Sequence, residues 1–191
     1  DLKIVNNEFL TLVISFFVNL IYKNFDHIIV QSNLSKKIIK QKVKNKKIKV
    51  FFNPENSNFK NKVKYKKSKF FKITYAGNLG KAQSLECLIK AVNKIRHEKF
   101  IINLFGSGSE KNKLLFLIKK YKLQNKIKYF KPLKFNLLKK YMHDSDAFIL
   151  FLKKGSALSN TLPAKIQTYL SFGKPIIVSS DGEAKNFVKK N

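Results

Sequence analysis

The sequence predicts an α/β fold, a parallel sheet with helices on both faces. Three observations carry this. From Phe70 onward, short apolar runs alternate with stretches of helical period. The runs are mostly apolar, as strands buried on both faces are. Three of them end in loops, after Ala76, Phe105 and Leu150, and such sheets hold ligands at the carboxyl ends of their strands. A hydrophobic content of 44% suits a chain that buries a core.

Taken in order, the first element is an apolar run from Phe9 to Tyr22, broken by Thr11, Ser15 and Asn19. It falls short of the roughly 18 residues of a spanning helix, and neither a charged leader nor a cleavage site flanks it. A helix buried against a further domain is expected, with contact at a membrane surface as the alternative. His27 to Ser32 reads as a buried strand, Leu34 to Lys42 as a helix capped by Ser32 or Asn33, and Lys47 to Phe52 as a second strand ending at Asn53-Pro54. Asn56 to Lys69 is lysine-rich and without periodicity, hence a loop and the expected internal boundary. Beyond it, strands are predicted at Lys72–Ala76, Phe100–Phe105, Ile127–Phe130, Ala147–Leu150 and Pro175–Val178. Helices are predicted at Ser84–Glu98, Glu110–Lys120, Phe135–His143 and Pro163–Phe172. Three segments result: 1–54, the loop 55–69, and 70–191. The chain starts at Asp1 inside an already patterned stretch, and it is expected to be a piece of a longer protein.

The formal charge is +29, nearly all lysine, since Arg96 is the single arginine among 40 basic residues. Readers of nucleic acid favour arginine for bidentate contacts, and their usual motifs are not found here. Nucleic-acid binding is therefore not expected. A solvated basic surface is the expectation, with an anionic membrane as the alternative. Cys87 is the single cysteine, which excludes an internal disulfide and a cysteine-based metal site. Its neighbours Leu85, Leu88 and Ile89 suggest a buried, inert thiol. His27, His97 and His143 lack ligand spacing, so no metal and no cofactor are expected.

Chemistry is expected in the three loops. Tyr75-Ala76-Gly77-Asn78-Leu79-Gly80-Lys81-Ala82-Gln83 runs from strand through a glycine turn to helix. Glycines permit close approach of a phosphate, amides at a helix start favour an anion, and Lys81 adds charge. A plain strand-to-helix turn explains the glycines equally well. Phe105-Gly106-Ser107-Gly108-Ser109-Glu110 would let the chain pass close to a flat nucleoside, with Ser109 capping the next helix. In the third, Ser159-Asn160-Thr161-Leu162-Pro163, Pro163 suits the first turn of a helix. Helical spacing then places Lys165 and Tyr169 on one face, and Gly173 ends the helix. Lys165 is an awkward cation in a first turn, where the helix dipole is positive, so an anionic partner is expected, with a solvated lysine in a lysine-rich chain as the alternative. Tyr141, Asp144 and Asp146 precede a strand, and the two carboxylates are read as turn-formers rather than catalysts.

Three motifs, in order and spacing, resemble the family 4 glycosyltransferases: Tyr75-Ala76-Gly77-Asn78-Leu79-Gly80-Lys81, then Leu104-Phe105-Gly106-Ser107-Gly108, then the run from Pro163 through Lys165, Thr168 and Tyr169 to Gly173-Lys174-Pro175. The resemblance covers about Asp26 to the C-terminus, and its flavour is that of bacterial surface-polysaccharide enzymes, including the N-acetylfucosamine-transferring subgroup. The apolar helix and Asp26-His27-Ile28-Ile29-Val30-Gln31-Ser32 resemble the end of that family's N-terminal domain. The resemblance implies a GT-B fold in which 1–54 closes the acceptor domain and 70–191 is a Rossmann-like donor domain lacking its last helices. It also implies a retaining, metal-independent enzyme acting from a nucleotide-sugar, most simply a UDP-sugar, on a glycan or polyprenyl-linked acceptor. The place would be the cytoplasm, at or near the inner membrane face.

Carried over residue by residue, Gly77, Asn78, Gly80, Lys81, Thr161, Leu162 and Lys165 would meet the diphosphate. Gly106, Ser107, Gly108 and Thr168 would meet the nucleoside, and Ser159 and Asn160 the donor sugar. The family's two glutamates fall on Asn160 and Thr168, and its Arg and Lys near Asn78 and Gln83. Lys81 and Lys165 are expected to supply the positive charge instead. A nucleotide-binding remnant or subunit without turnover is the alternative, as is a basic protein whose charge is its function.

Overall fold

The computed structural model describes residues 7–43, 46–52, 68–155 and 161–190. The predicted loop 55–69 lies almost wholly outside them, as do Ser159 and Asn160.

The N-terminal part is small. Helix α1 (Glu8–Asn24) begins at Asn7, whose side chain accepts from the Leu10 amide. Glu8 and Lys23 sit at the dipole ends that favour their charges. Strands β1 (His27–Val30) and β2 (Lys47–Val50) pair in parallel, joined by α2 (Asn33–Lys42). Ser32 caps α2 by accepting from the Ser35 amide at 3.0 Å. Ile28, Val30, Val43 and Ile48 form the core of this unit.

The larger unit is a five-stranded parallel sheet of order β5-β4-β3-β6-β7. Its strands are β3 (Phe71–Ala76), β4 (Phe100–Phe105), β5 (Ile127–Phe130), β6 (Ala147–Phe151) and β7 (Ile176–Ser179). Helices α3 (Leu85–Lys94) and α4 (Lys111–Lys120) cover one face, with Leu88, Ile89, Leu114 and Ile118 packed on Ile73 and Ile102. Helices α5 (Phe135–His143), α6 (Ala164–Ser171) and α7 (Gly182–Lys190) bring Met142, Tyr169, Ile166 and Ala184 to the other. Along β6, Ile149 joins the first core while Phe148 and Leu150 join the second, the alternation a two-faced strand imposes. Successive strands move outward from β3 in one direction, then from β6 in the other. The chain therefore leaves a crevice between the carboxyl ends of β3 and β6.

Two ties set these strands. At the amino ends, the Lys72 amide donates to Asp146 (2.7 Å) and the Asp146 amide to the Lys72 carbonyl (2.7 Å), while the Lys72 ammonium pairs with Asp144 (2.7 Å). Both carboxylates thus join β3 to β6 at the end opposite the crevice. The Lys174 ammonium donates to the carbonyls of Met142, His143 and Ser145, closing the negative end of α5. The small unit meets the large one through α7: the Asn33 amide donates to the buried Glu183 carboxylate at 3.1 Å, and Phe52 lies 5.6 Å from Phe187.

The structure corrects several expectations. Cys87 is exposed, on the outer side of α3, because Leu85, Leu88 and Ile89 already define the inward stripe. Helix α3 stops at Lys94 rather than Glu98, where the chain turns back to enter β4 in register with β3. It also starts one residue late, since Ser84 adopts φ 48° after a short 3-10 turn, Lys81–Gln83. Ser109 does not cap α4. Glu110 opens it without a side-chain cap, its amide being held by the Leu79 carbonyl at 2.9 Å. Helix α7 was not foreseen.

Candidate functional site

A cavity of about 500 Å³ opens at the carboxyl ends of the strands, within the size range of small-molecule sites. Its polar side comes from Gly77 and Asn78 after β3, Gly106 and Ser107 after β4, and Lys165 and Thr168 on α6. Its apolar side is Pro132 and Leu133 after β5, with Phe135, Leu138 and Met142 on α5. Of the residues singled out from the sequence, those six come together here with Tyr169. Gly80, Lys81, Gly108, Thr161 and Leu162 do not line it: Lys81 and Thr161 are exposed, and Leu162 is buried in the core with Ile166 and Ala184. The apolar wall was missed. Its signal was present in Phe135, Leu138 and Met142, three apolar residues on one helical face beneath a strand end.

The two glycine loops are zipped together beyond their strands. The Gly77 amide donates to the Phe105 carbonyl (3.0 Å), the Leu79 amide to Ser107 (2.8 Å) and the Glu110 amide to Leu79 (2.9 Å). The Gly80 amide is held by the Gln83 side chain at 3.1 Å. These amides are engaged inside the fold, and Lys165 is the charged side chain that lines the cavity. Gly106 explains itself sterically: at φ +149°, an added Cβ would lie 1.9 Å from the Gly77 carbonyl oxygen. On Gly108, likewise, an added Cβ would lie 2.6 Å from the Leu79 carbonyl oxygen.

Lys165 is the main charge at the cavity. Its ammonium donates to the Tyr75 hydroxyl at 3.0 Å and sits 4.3 Å from the centre of that ring. Burial lowers its pKa to about 8. The ion pairs among the described residues join Lys72 to Asp144, Lys90 and Lys113 to Glu86, His97 to Glu98, and Lys113 to Glu110. None takes in Lys165. Gly77 makes room for it, since a Cβ there would meet the ammonium at 2.5 Å. Tyr75 in turn donates to the Asn78 carbonyl at 2.6 Å. Tyr169, stacked 4.5 Å from Phe148, accepts from the Ala76 amide at 3.0 Å. Burial pushes both phenols far above their ordinary range, so both are neutral. No group of three or more His, Cys, Asp or Glu suited to a metal occurs among the described residues. Among them, no helix is long and apolar enough to cross a membrane.

Comparison with known proteins bears on this cavity. The family model described as glycosyl transferases group 1 matches residues 55–191. Over 109 residues the chain is 28% identical to the putative colanic acid biosynthesis glycosyl transferase WcaI of Escherichia coli K12, covering 57% of this chain and 26% of WcaI. The structure superposes on the pneumococcal O-GlcNAc transferase GtfA, solved with UDP and GlcNAc, with a TM-score of 0.71 at 14% identity, over 89% of this chain and 33% of GtfA. A glycosyltransferase from Rickettsia africae gives 0.70 at 18% identity, over 87% and 49%. Anabaena HepE, solved with UDP and glucose, gives 0.68 at 16%, over 92% and 55%. The chain thus spans between about a quarter and a little over half of each relative's length.

Proposed function

The chain belongs to the group 1 glycosyl transferases, and from that premise we propose that its cavity binds the nucleotide-sugar donor of a retaining transferase. The donor is a UDP-sugar, carrying a hexosyl or N-acetylhexosaminyl group, and the acceptor a glycan or lipid-linked glycan of surface polysaccharide. Residues 70–191 supply the donor domain, and 1–54 the end of the acceptor domain and its connection. The work is cytoplasmic, beside the inner membrane face.

One observation carries this reading: Lys165, a largely buried cation paired with no carboxylate among the described residues, lines a cavity that also has an apolar wall. A nucleoside diphosphate has that polarity. Its phosphates meet Lys165, with Gly77 and Asn78 beside them. Its nucleoside runs past Gly106, Ser107 and Thr168 toward Pro132, Leu133 and Phe135. GtfA and HepE, with which the fold is shared, were solved with UDP, and that supports uracil as the base. As the glycosidic bond breaks, negative charge grows on the departing diphosphate. A fixed ammonium in a site screened from water stabilises that charge more than it stabilises the bound donor. Lys81 and Thr161 are exposed and do not line the cavity, so no contact with the donor is assigned to them.

Calorimetric titration of the intact protein with UDP and GDP, with and without EDTA, tests the reading. Binding of UDP in preference to GDP, unchanged by the chelator, is expected. Loss of binding in EDTA would mean that a metal rather than Lys165 meets the phosphates.

A further inference from the structure

We propose that Tyr75 is a positioning residue for Lys165, its buried hydroxyl orienting the ammonium toward the cavity without neutralising it. The proposal rests on the diphosphate reading of Lys165 above. A lysine is a point charge on a flexible four-carbon stem, so its value to an anion depends on being held. Three features hold this one. The hydroxyl accepts from the ammonium at 3.0 Å, the ring faces it at 4.3 Å, and Gly77 clears the space that a side chain would take.

The direction of the hydrogen bonds matters. A phenol has one proton to donate, and that of Tyr75 goes to the Asn78 carbonyl at 2.6 Å. Its lone pairs are therefore left for Lys165. Tyr75 is fully buried and stays neutral, as burial raises its pKa. A carboxylate in its place would orient the lysine equally well but would cancel the charge. A neutral phenol leaves the whole positive charge for an anionic ligand. The same hydroxyl fixes the carbonyl of Asn78, a cavity residue, so one side chain sets both the loop and the cation across 90 residues of sequence.

The test compares UDP with uridine in the intact protein, for the wild type, Lys165→Met, Tyr75→Phe and the double variant. Lys165→Met and Tyr75→Phe are each expected to weaken UDP, Tyr75→Phe by roughly five- to tenfold, and to leave uridine unchanged. In the Lys165→Met background, Tyr75→Phe should cost UDP affinity less than it does in the wild type. An unchanged UDP affinity in Lys165→Met overturns the diphosphate reading, and the positioning with it. If Lys165→Met weakens UDP but Tyr75→Phe does not, or if Tyr75→Phe weakens uridine equally, or if the losses add, the role of Tyr75 alone is overturned. Should Tyr75→Phe fail to fold, a ring-fluorinated tyrosine at position 75 keeps the hydroxyl. Its fluorine resonance should move further with UDP than with uridine, and equal shifts would overturn the proposal.

Discussion

Lys165 carries a burial penalty that pH can expose. Its pKa is lowered to about 8, against roughly 10.4 in an unfolded chain. The unfolded chain therefore binds more protons between those values, and the stability of the empty protein should rise with pH across that window. Below about pH 8 the penalty is fully present. A diphosphate acts in the opposite sense, because its negative charge favours the ammonium and raises the pKa. Binding should take up a proton near pH 8.5, and UDP affinity should fall as pH rises above 8. Tyr75, which meets this ammonium, and Tyr169, which also lines the cavity, remain neutral there. The uptake is measurable as a dependence of binding heat on the ionisation heat of the buffer, and its persistence in Lys165→Met would assign it elsewhere. Removing the ammonium by Lys165→Ala should weaken diphosphate binding by about 1.5–3 kcal/mol and leave stability at pH 7 equal or higher. Lys120→Ala, on the exposed side of α4, should do neither.

Among the elements, the strands of the larger sheet were legible because each is a short apolar run with a loop at its carboxyl end. Phe100–Phe105 and Ile127–Phe130 match their predicted ends. What the sequence hid were features of tertiary origin. Ser109 has the chemistry of a cap, but the Leu79 carbonyl reaches α4 first. Cys87 sits among apolar neighbours, yet a helix turns it outward. The glycine loops suggested a phosphate cradle, but pairing of the loops engages several of their amides, and of their glycines Gly77 and Gly106 line the cavity, beside Asn78 and Ser107. Tyr75 was invisible as a site residue, since a buried tyrosine on a strand reads as core. The loop pairing makes its own prediction. Gly106→Ala forces a Cβ against backbone 1.9 Å away at φ +149°. It should destabilise the fold by about 3 kcal/mol or more, from overpacking and backbone strain together. Gly155→Ala, with open space around it at φ +67°, should cost about 1–2 kcal/mol. Urea unfolding of the two variants checks the contrast, and equal losses would mean that the loops can separate.

At the scale of the whole molecule, two opposed forces act on the surface. Helix α1 buries none of its residues, and Phe9, Leu12 and Phe16 are all more than 60% exposed. Ile29 on β1 is 70% exposed, although parallel sheets are ordinarily covered on both faces. Exposed apolar side chains of this kind favour association. A net charge of +29 opposes it, since like charges repel over a Debye length of about 10 Å at 0.1 M salt. Salt therefore separates the explanations by sign. If the apolar surface governs, the 191-residue chain should be monomeric in dilute salt and associate as salt screens the repulsion. Leu12→Glu with Phe16→Glu should then keep it monomeric at every salt concentration. If the lysines govern, by binding a polyanion, complexes should form in dilute salt and dissolve as salt is added. The lysines lie on many elements rather than on one face, whereas α1 concentrates exposed apolar side chains along a single helix, so association that grows with salt is expected. Light scattering across a salt series reads the sign directly, and assemblies that dissolve on adding salt would assign the surface to its charge instead.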